Sequence, residues 1–100
     1  MPNIEIHGLD MGKADEVRDN IFGLLQGKPY AKNMVVEVYR TEVIDIVGKS
    51  QPYLRLLSSN ETEAQEIIQI LHTFLEIDIE WIILFRRARP AREKEKSDIR

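Results

Sequence analysis

No cysteine occurs in the 100-residue sequence, so disulfide bonds, thiolate nucleophiles and thiolate metal sites are excluded. Its two histidines lie far apart in the chain and make a weak case for a metal centre. No apolar run approaches membrane-spanning length, and the N-terminus lacks a signal-peptide pattern. The sequence therefore predicts a cytoplasmic protein with no metal, no organic cofactor and no membrane partner.

The net charge of −3 conceals an uneven distribution of charge: the C-terminal segment is basic, and the rest of the chain is acidic. Residues 86–100 contain seven basic and three acidic side chains, so this segment carries +4 and the rest of the chain −7. One domain is predicted over residues 1–89, followed by a charged and aperiodic tail over 90–100 that we expect to be disordered. The acidic folded part argues against a nucleic-acid partner.

Hydrophobic periodicity predicts two strand–helix–strand units in succession. Ile4 and Ile6 alternate with polar neighbours in a first strand, and Asn60 with Glu63 marks the start of a helix. The expected elements are a strand within 1–7, a helix over 13–26, a strand over 34–40, an extended stretch over 41–47, a turn over 48–52, a strand over 53–57, a helix after residue 60 and a strand over 79–85. The apolar stripe of the second helix is predicted to be Ala64, Ile67, Ile68, Leu71, Phe74 and Leu75.

The two units resemble each other in sequence, which predicts an internal repeat. The matched sets are Ile4 and Ile6 with Leu54 and Leu56, Ile21 and Leu25 with Ile67 and Leu71, and Val36, Val38 and Arg40 with Ile82, Leu84 and Arg86. Right-handed crossovers place both helices on one face of a four-stranded sheet. We therefore predict an α/β (α+β) two-layer sandwich with a pseudo-twofold βαβ-βαβ repeat.

The sheet face opposite the helices is predicted to need a cover. By alternation it would carry Val35, Glu37, Tyr39, Tyr53, Arg55, Leu57, Trp81, Ile83 and Phe85. The last strand is apolar on both sides, as in strands that are buried on both faces. Another copy of the chain is the simplest cover, and a loop or the tail folding over the face is the alternative.

Pro2 is a candidate general base. If Met1 is removed, its nitrogen becomes a terminal secondary amine at the end of a rigid strand. An α-amino group has an ordinary pKa of about 7.7–8.0, which burial or nearby cations lower. A neutral amine near pH 7 can accept a proton from a substrate or attack a carbonyl as a nucleophile. The alternative is a proline with no chemical role, since proline is common at position 2.

Four short stretches carry a resemblance to a known family. They are Met1-Pro2 before an alternating strand, Gly27-Lys28-Pro29, the turn Gly48-Lys49-Ser50-Gln51-Pro52, and Gly12-Lys13-Ala14-Asp15-Glu16. Through the shared order and spacing of these stretches, the chain resembles the tautomerase superfamily over residues 2–86. This superfamily includes macrophage migration inhibitory factor and 4-oxalocrotonate tautomerase. The resemblance implies a βαββαβ subunit, a homotrimer, and keto–enol tautomerisation of a small carbonyl acid without any cofactor.

The resemblance also implies roles for individual residues. Pro2 would be the base and then the acid, and Lys28 would bind and polarise the substrate. Lys13 would hold a substrate carboxylate, and Trp81 would line the pocket of a neighbouring subunit. Structural readings compete with these roles: Lys28 and Lys13 as solvated helix-end residues, and Trp81 as interface packing. Arg40, matched to Arg86 in the repeat, is an additional candidate anion-binding residue or else a solvated strand end.

Two positions depart from the family pattern. Ile83 stands where the family has a polar asparagine, and Glu37 stands where the smaller enzymes have an arginine. Both departures remove groups that would hold a polar substrate, so the natural substrate differs or the activity is lost. A catalytically inactive trimeric protein of this fold therefore stays open as a function. A ferredoxin-like module that binds a small ligand or a protein is a further alternative, because ferredoxin-like domains have the same linear order of elements.

Overall fold

The structure of the protein is a computed structural model that describes residues 2–83. Its elements follow the predicted order: β1 (Asn3–His7), α1 (Met11–Leu25), a short 3₁₀ helix (Pro29–Asn33), β2 (Val35–Tyr39), β3 (Tyr53–Leu57), α2 (Glu61–Phe74) and β4 (Asp78–Ile82). The stretch predicted to be extended over 41–47 contributes only an isolated bridge between Ile44 and Ser50. Arg86, the boundary at residue 89 and the predicted tail lie outside the described residues.

The four strands form one mixed sheet in the order β2-β1-β3-β4. β1 runs parallel to β2 and antiparallel to β3, and β3 runs parallel to β4. Each helix therefore links two adjacent parallel strands, and the predicted two-layer α/β sandwich with a βαβ-βαβ layout is confirmed. The ferredoxin-like alternative does not fit, because that fold splits its βαβ units with an intervening strand.

Both helices begin at side-chain caps. Asp10 accepts a hydrogen bond from the Lys13 backbone N–H at 2.9 Å, and Asn60 accepts one from the Glu63 backbone N–H at the same distance. The predicted start of the second helix is therefore confirmed. α1 ends just before Gly27, whose φ of +90° is a conformation that glycine adopts without strain.

The core lies between the helices and one face of the sheet. Alternate residues of the two central strands, Ile4, Ile6, Leu54 and Leu56, are at most 1% exposed. The helices contribute Ala14, Val17, Ile21, Leu25, Ala64, Ile67 and Leu71, and Met34 closes one end. Phe74 was predicted to lie in this stripe, but it is 65% exposed, and Leu75 packs against the core instead.

The register of β4 corrects the predicted face of Trp81. Trp81 pairs with Leu56, and Ile79 pairs with Leu54, so both side chains lie on the helix face of the sheet. The opposite face receives Asp78, Glu80 and Ile82. The match of Val36 and Val38 to Ile82 and Leu84 was therefore wrong by three residues. Trp81 is not part of the open face, and Phe85 lies beyond the described chain.

This register predicts unequal losses of stability for two adjacent residues. Trp81→Ala should lower the free energy of unfolding by about 2 kcal/mol, because a half-buried indole loses its contacts with the helix layer. Ile82→Ala, on the open face, should lower it by less than about 1 kcal/mol. Urea denaturation followed by circular dichroism measures both values, and a larger loss for Ile82→Ala would contradict the assigned faces.

Candidate functional site

Pro2 lies at the start of the central strand β1. Its side chain is less than 2% exposed, and its carbonyl oxygen accepts a hydrogen bond from the Val35 backbone N–H at 3.2 Å. Because Asn3 pairs with Leu57, the residue beside Pro2 on β3 is Ser58, which is also fully buried. Pro2 is therefore fixed between the beginning of β2 and the end of β3.

The strand directions define two edges of the sheet. β1 and β2 begin, and β3 and β4 end, at the edge that contains Pro2, which is called the Pro2 edge. The opposite edge contains His7 and is called the His7 edge. β1 spans five residues, so the two edges are roughly 13 Å apart along the strands.

Two of the predicted site residues lie at the Pro2 edge. Lys28 follows α1 at the start of the 3₁₀ helix, and its Nζ is 3.6 Å from Glu66 Oε2. Trp81 projects towards the same edge, where its Nε1 donates a hydrogen bond to the Ser58 carbonyl oxygen at 3.4 Å. The ion pair with Glu66 offsets part of the positive charge that Lys28 would present to a substrate.

Lys13 and Arg40 lie at the other end of the sheet. Lys13 is in the first turn of α1, which begins just after the His7 edge, and its Nζ is 3.8 Å from Glu16. Arg40 directly follows β2, whose last residue pairs with His7. A single chain therefore does not bring Lys13 or Arg40 to Pro2.

An open cleft of about 530 Å³ separates the 3₁₀ helix from the first turns of α2. Its lining residues are Pro29, Tyr30, Asn33, Asn60, Thr62, Glu63 and Glu66. The Tyr30 hydroxyl donates a hydrogen bond to Glu66 Oε1 at 2.7 Å. Burial, and then the Glu66 carboxylate, raise the pKa of Tyr30 well above its ordinary value, so the phenol stays protonated.

No sequence pattern indicated the pairing of Glu66 with Tyr30 and Lys28. Glu66 reads as one charged residue on the solvated side of an amphipathic helix. It is separated from Tyr30 by thirty-six positions, and only the packing of α2 beside the 3₁₀ helix joins the two side chains. The cleft also contains Glu63, whose Oε1 is buried without a hydrogen-bond partner among residues 2–83.

The open face of the sheet is polar rather than apolar. Its side chains form three rows across the strands: an apolar row (Val35, Asn3, Leu57, Ile82), a charged row (Glu37, Glu5, Arg55, Glu80) and an aromatic row (Tyr39, His7, Tyr53, Asp78). In the aromatic row the His7 ring is stacked between Tyr39 and Tyr53, with centroid distances of 4.5 and 4.8 Å. The predicted polar residues Glu37, Tyr39, Tyr53 and Arg55 do lie on this face, but β4 adds Asp78, Glu80 and Ile82 to it instead of the predicted apolar residues.

Arg55 is the centre of the charged row. Its guanidinium lies 3.5 Å from Glu5 and 3.4 Å from Glu80, and it donates a hydrogen bond to the Tyr53 hydroxyl at 3.2 Å. Glu5 also lies 2.8 Å from His7 Nε2. Glu37 is the neighbour of Glu5 on the parallel strand β2 and accepts a hydrogen bond from the Tyr39 hydroxyl at 3.4 Å. Two carboxylates, Glu5 and Glu80, therefore share one guanidinium, and Glu37 is paired with the Tyr39 hydroxyl.

Residues 2–83 contain neither a metal-binding cluster nor a membrane-spanning helix. Within this range no group of three or more histidine, aspartate or glutamate side chains is arranged to hold a metal ion. Neither of the two helices described is long and apolar enough to cross a membrane.

The fold is similar to that of known structures, although the sequence matches no family profile and no curated protein. A protein of unknown function from Vibrio cholerae has a TM-score of 0.59 at 14% identity, over 90% of this chain and 83% of that chain. A DUF1904 domain of unknown function from Sebaldella termitidis has a TM-score of 0.48 at 14% identity, over 82% and 85% of the two chains. A probable enzyme from the thermophilic fungus Aspergillus fumigatus has a TM-score of 0.49 at 19% identity, over 97% and 91%. The likeness to the Vibrio protein shows a shared small α/β fold.

The Tyr30–Glu66 contact predicts a change in the titration of one tyrosine. Glu66→Gln keeps the size of the side chain but removes its charge, so the pKa of Tyr30 should fall, while burial still holds it above its ordinary value of 10.0. The measurement is the pH dependence of the tyrosine ring NMR shifts, with Tyr30→Phe used to assign the signal. An unchanged Tyr30 titration would show that the carboxylate has no influence on the phenol.

Proposed function

We propose that the protein is a cofactor-independent tautomerase of small carbonyl acids that uses the amine of Pro2, generated by removal of Met1, as its general base. One observation carries the proposal. Pro2 starts the central strand at the same edge of the sheet as Lys28, the Trp81 indole and the open cleft. A base, hydrogen-bond donors and a cleft therefore lie at the same edge of the sheet, with Pro29 and Tyr30 of the cleft directly following Lys28 in the chain.

The reaction is a proton transfer in which no group is gained or lost. The neutral Pro2 nitrogen takes a proton from the carbon next to a substrate carbonyl, and the electrons of that C–H bond form an enolate. Negative charge develops on the carbonyl oxygen, which accepts a hydrogen bond from the Lys28 ammonium. Protonated Pro2 then returns the proton to a different atom.

A complete site requires a second copy, because the carboxylate-binding candidates Lys13 and Arg40 lie at the His7 edge of their own chain. We propose the homotrimer that the family resemblance implies. Support for assembly comes from the arm, defined as residues 41–52 between β2 and β3. Its apolar side chains Ile44, Ile46 and Val47 are mostly or fully exposed in the single chain.

Hydrogen bonds to Asp45 organise the middle of the arm within the single chain. The Asp45 carboxylate accepts hydrogen bonds from the backbone N–H groups of Val47 and Lys49 and from the Gln51 side chain. These bonds lower the pKa of Asp45 below its ordinary value. A rigid loop that presents apolar side chains loses little conformational freedom on binding, as expected of an element that anchors a subunit contact.

A catalytically inactive trimer is the second candidate function. Lys28 is paired with Glu66 at 3.6 Å, and Glu37, which stands where the smaller enzymes have an arginine, lies on the open face and not at the Pro2 edge. The pairing of Lys28 with Glu66 weakens the binding of an anionic substrate, and position 37 supplies no arginine to compensate for it. Activity that depends on Pro2 distinguishes the two candidates.

The central prediction is that blocking the Pro2 nitrogen abolishes catalysis. Protein with Met1 removed should tautomerise phenylenolpyruvate, and protein with Met1 retained should not, because an amide nitrogen is not a base near pH 7. Activity should rise with pH through one ionisation, as the amine loses its proton. The measurement is the rate of ketonisation followed by ultraviolet absorbance, with N-terminal processing verified by intact mass.

Two variants control for indirect effects on the site. Pro2→Ala retains a terminal amine, so its activity should fall without disappearing, and Lys28→Ala should lower the rate with less than about 1 kcal/mol of change in stability. Equal rates for the Met1-retained and Met1-free proteins would exclude Pro2 as the base. The inactive trimer would then be the better description.

A separate prediction concerns assembly through the arm. Ile46→Asp places a charge on a fully exposed apolar side chain, so it should shift a homotrimer to monomers without lowering the stability of the single chain. Phe74→Asp is the matched control, because Phe74 is also exposed but lies on α2, and assembly should persist. Sedimentation equilibrium measures both, and a wild-type chain that is monomeric at micromolar concentration would contradict the proposal.

A further inference from the structure

The Glu66 carboxylate joins two residues of one short segment. Its Oε1 atom accepts a hydrogen bond from the Tyr30 hydroxyl at 2.7 Å, and its Oε2 atom lies 3.6 Å from Lys28 Nζ. Lys28 and Tyr30 flank Pro29, whose ring fixes one backbone angle between them. Each oxygen of Glu66 therefore has a different partner, and both partners come from the start of the 3₁₀ helix.

The two contacts of Glu66 differ in strength. At 2.7 Å the bond from Tyr30 is as short as hydroxyl bonds to ionised carboxylates usually are. The 3.6 Å contact with Lys28 is longer than an ordinary N–H···O hydrogen bond, which extends to about 3.2 Å. Because the raised pKa of Tyr30 keeps its phenol protonated, this donor is present at neutral pH. Glu66 is therefore held in place by Tyr30 and acts on Lys28 through its charge.

The Lys28 ammonium is accessible to a ligand from solvent. The side chains of Lys28 and Glu66 are 36% and 45% exposed, and ion pairs with this exposure contribute little to stability. An ammonium has three N–H donors, and the contact with Glu66 is too long to engage any of them in a hydrogen bond. A small molecule can therefore reach Lys28, but it meets the charge of Glu66 there.

The cleft beside Lys28 adds negative charge and no positive charge. Of the described residues that line it, two are carboxylates, Glu63 and Glu66, and none is a lysine or an arginine. Lys32 belongs to the same 3₁₀ helix but is not among the lining residues. The surroundings of Lys28 therefore favour an uncharged oxygen over a second carboxylate.

We propose that Glu66 is a specificity-determining residue of the Pro2 edge: held by Tyr30, it opposes a ligand carboxylate at Lys28 and leaves the ammonium to an uncharged carbonyl oxygen. The inference takes from the proposed function only the role of Lys28 in binding the substrate. A ligand carboxylate has to displace Glu66 or bind beside it against charge repulsion, whereas an amide or ketone oxygen does not. In a carbonyl acid, Glu66 would thus direct the carbonyl group, and not the carboxylate, to Lys28.

Two ligands of nearly the same shape test this preference without any turnover. Phenylacetate presents a carboxylate, phenylacetamide presents an uncharged carbonyl, and neither has an enol to convert. Each is added to the full-length protein with Met1 removed, and the backbone amide NMR shifts of residues 28–33 report its affinity. Glu66→Gln should raise the affinity for phenylacetate about two- to fivefold, the range expected on removing one charge of a partly exposed ion pair. The affinity for phenylacetamide should stay the same.

Matched variants separate competition at Lys28 from a general loss of negative charge. Glu63→Gln removes an equal charge from the same helix and the same cleft but leaves the Lys28–Glu66 contact, so the affinity for phenylacetate should change by less than about twofold. Lys28→Ala should weaken phenylacetate binding, Lys32→Ala should not, and adding Glu66→Gln to Lys28→Ala should give no further gain. Circular dichroism verifies that each variant is folded.

Several results would overturn the proposal. They are an equal gain in Glu63→Gln, a gain in Glu66→Gln that persists without Lys28, equal gains for both ligands, or no binding of phenylacetate to the Glu66→Gln protein. The outcome is independent of catalysis by Pro2, because neither ligand is a substrate. The expected gains in a protein that turns over no enol would support the role of Glu66 and reject the tautomerase, so the two failures are distinguishable.

Discussion

The alternation of side chains along β1 is the constraint on which the rest of the structure depends. β1 is bonded on one side to β2 and on the other to β3, so its period of two is imposed on both neighbours. Ile4 and Ile6 fix which side receives the helices, and Glu5 and His7 fix which side stays polar. Moving β1 by one residue would turn Ile4 and Ile6 to the polar face of the sheet and bring Glu5 and His7 under the helices.

Where alternation is clear in the sequence, the fold was predictable, and where it is absent, prediction failed. β1, β3 and the two helices have apolar residues at regular spacing, and their positions agree with the structure within about two residues. The stretch from Ile79 to Ile83 is apolar at every position except Glu80, so its periodicity does not distinguish its two sides. Asp78 and Glu80 are two positions apart and therefore lie on the same side of the strand, which their charge identifies as the solvent side. This pattern would have predicted Trp81 on the helix face.

The candidate site was less predictable than the fold, because its contacts join distant parts of the chain. The position of Pro2 at the start of the central strand follows from the first few residues. The pairing of Lys28 with Glu66, and of Glu66 with Tyr30, depends on how α2 lies beside the 3₁₀ helix. Patterns of neighbouring residues do not indicate such contacts. They do indicate the helix caps at Asp10 and Asn60, because each cap joins residues only three positions apart.

The arrangement of the strands has a consequence for the order of folding. Each βαβ unit brings together strands that are about twenty-five to thirty-two residues apart, but the ladder between β1 and β3 joins Asn3 to Leu57. Closing that larger loop costs more chain entropy, so the two units should collapse first and the central ladder should form last. The hydrogen bonds in the middle of the sheet would then be the last to form. An interruption of folding would leave two two-stranded sheets, each with an unpaired edge strand.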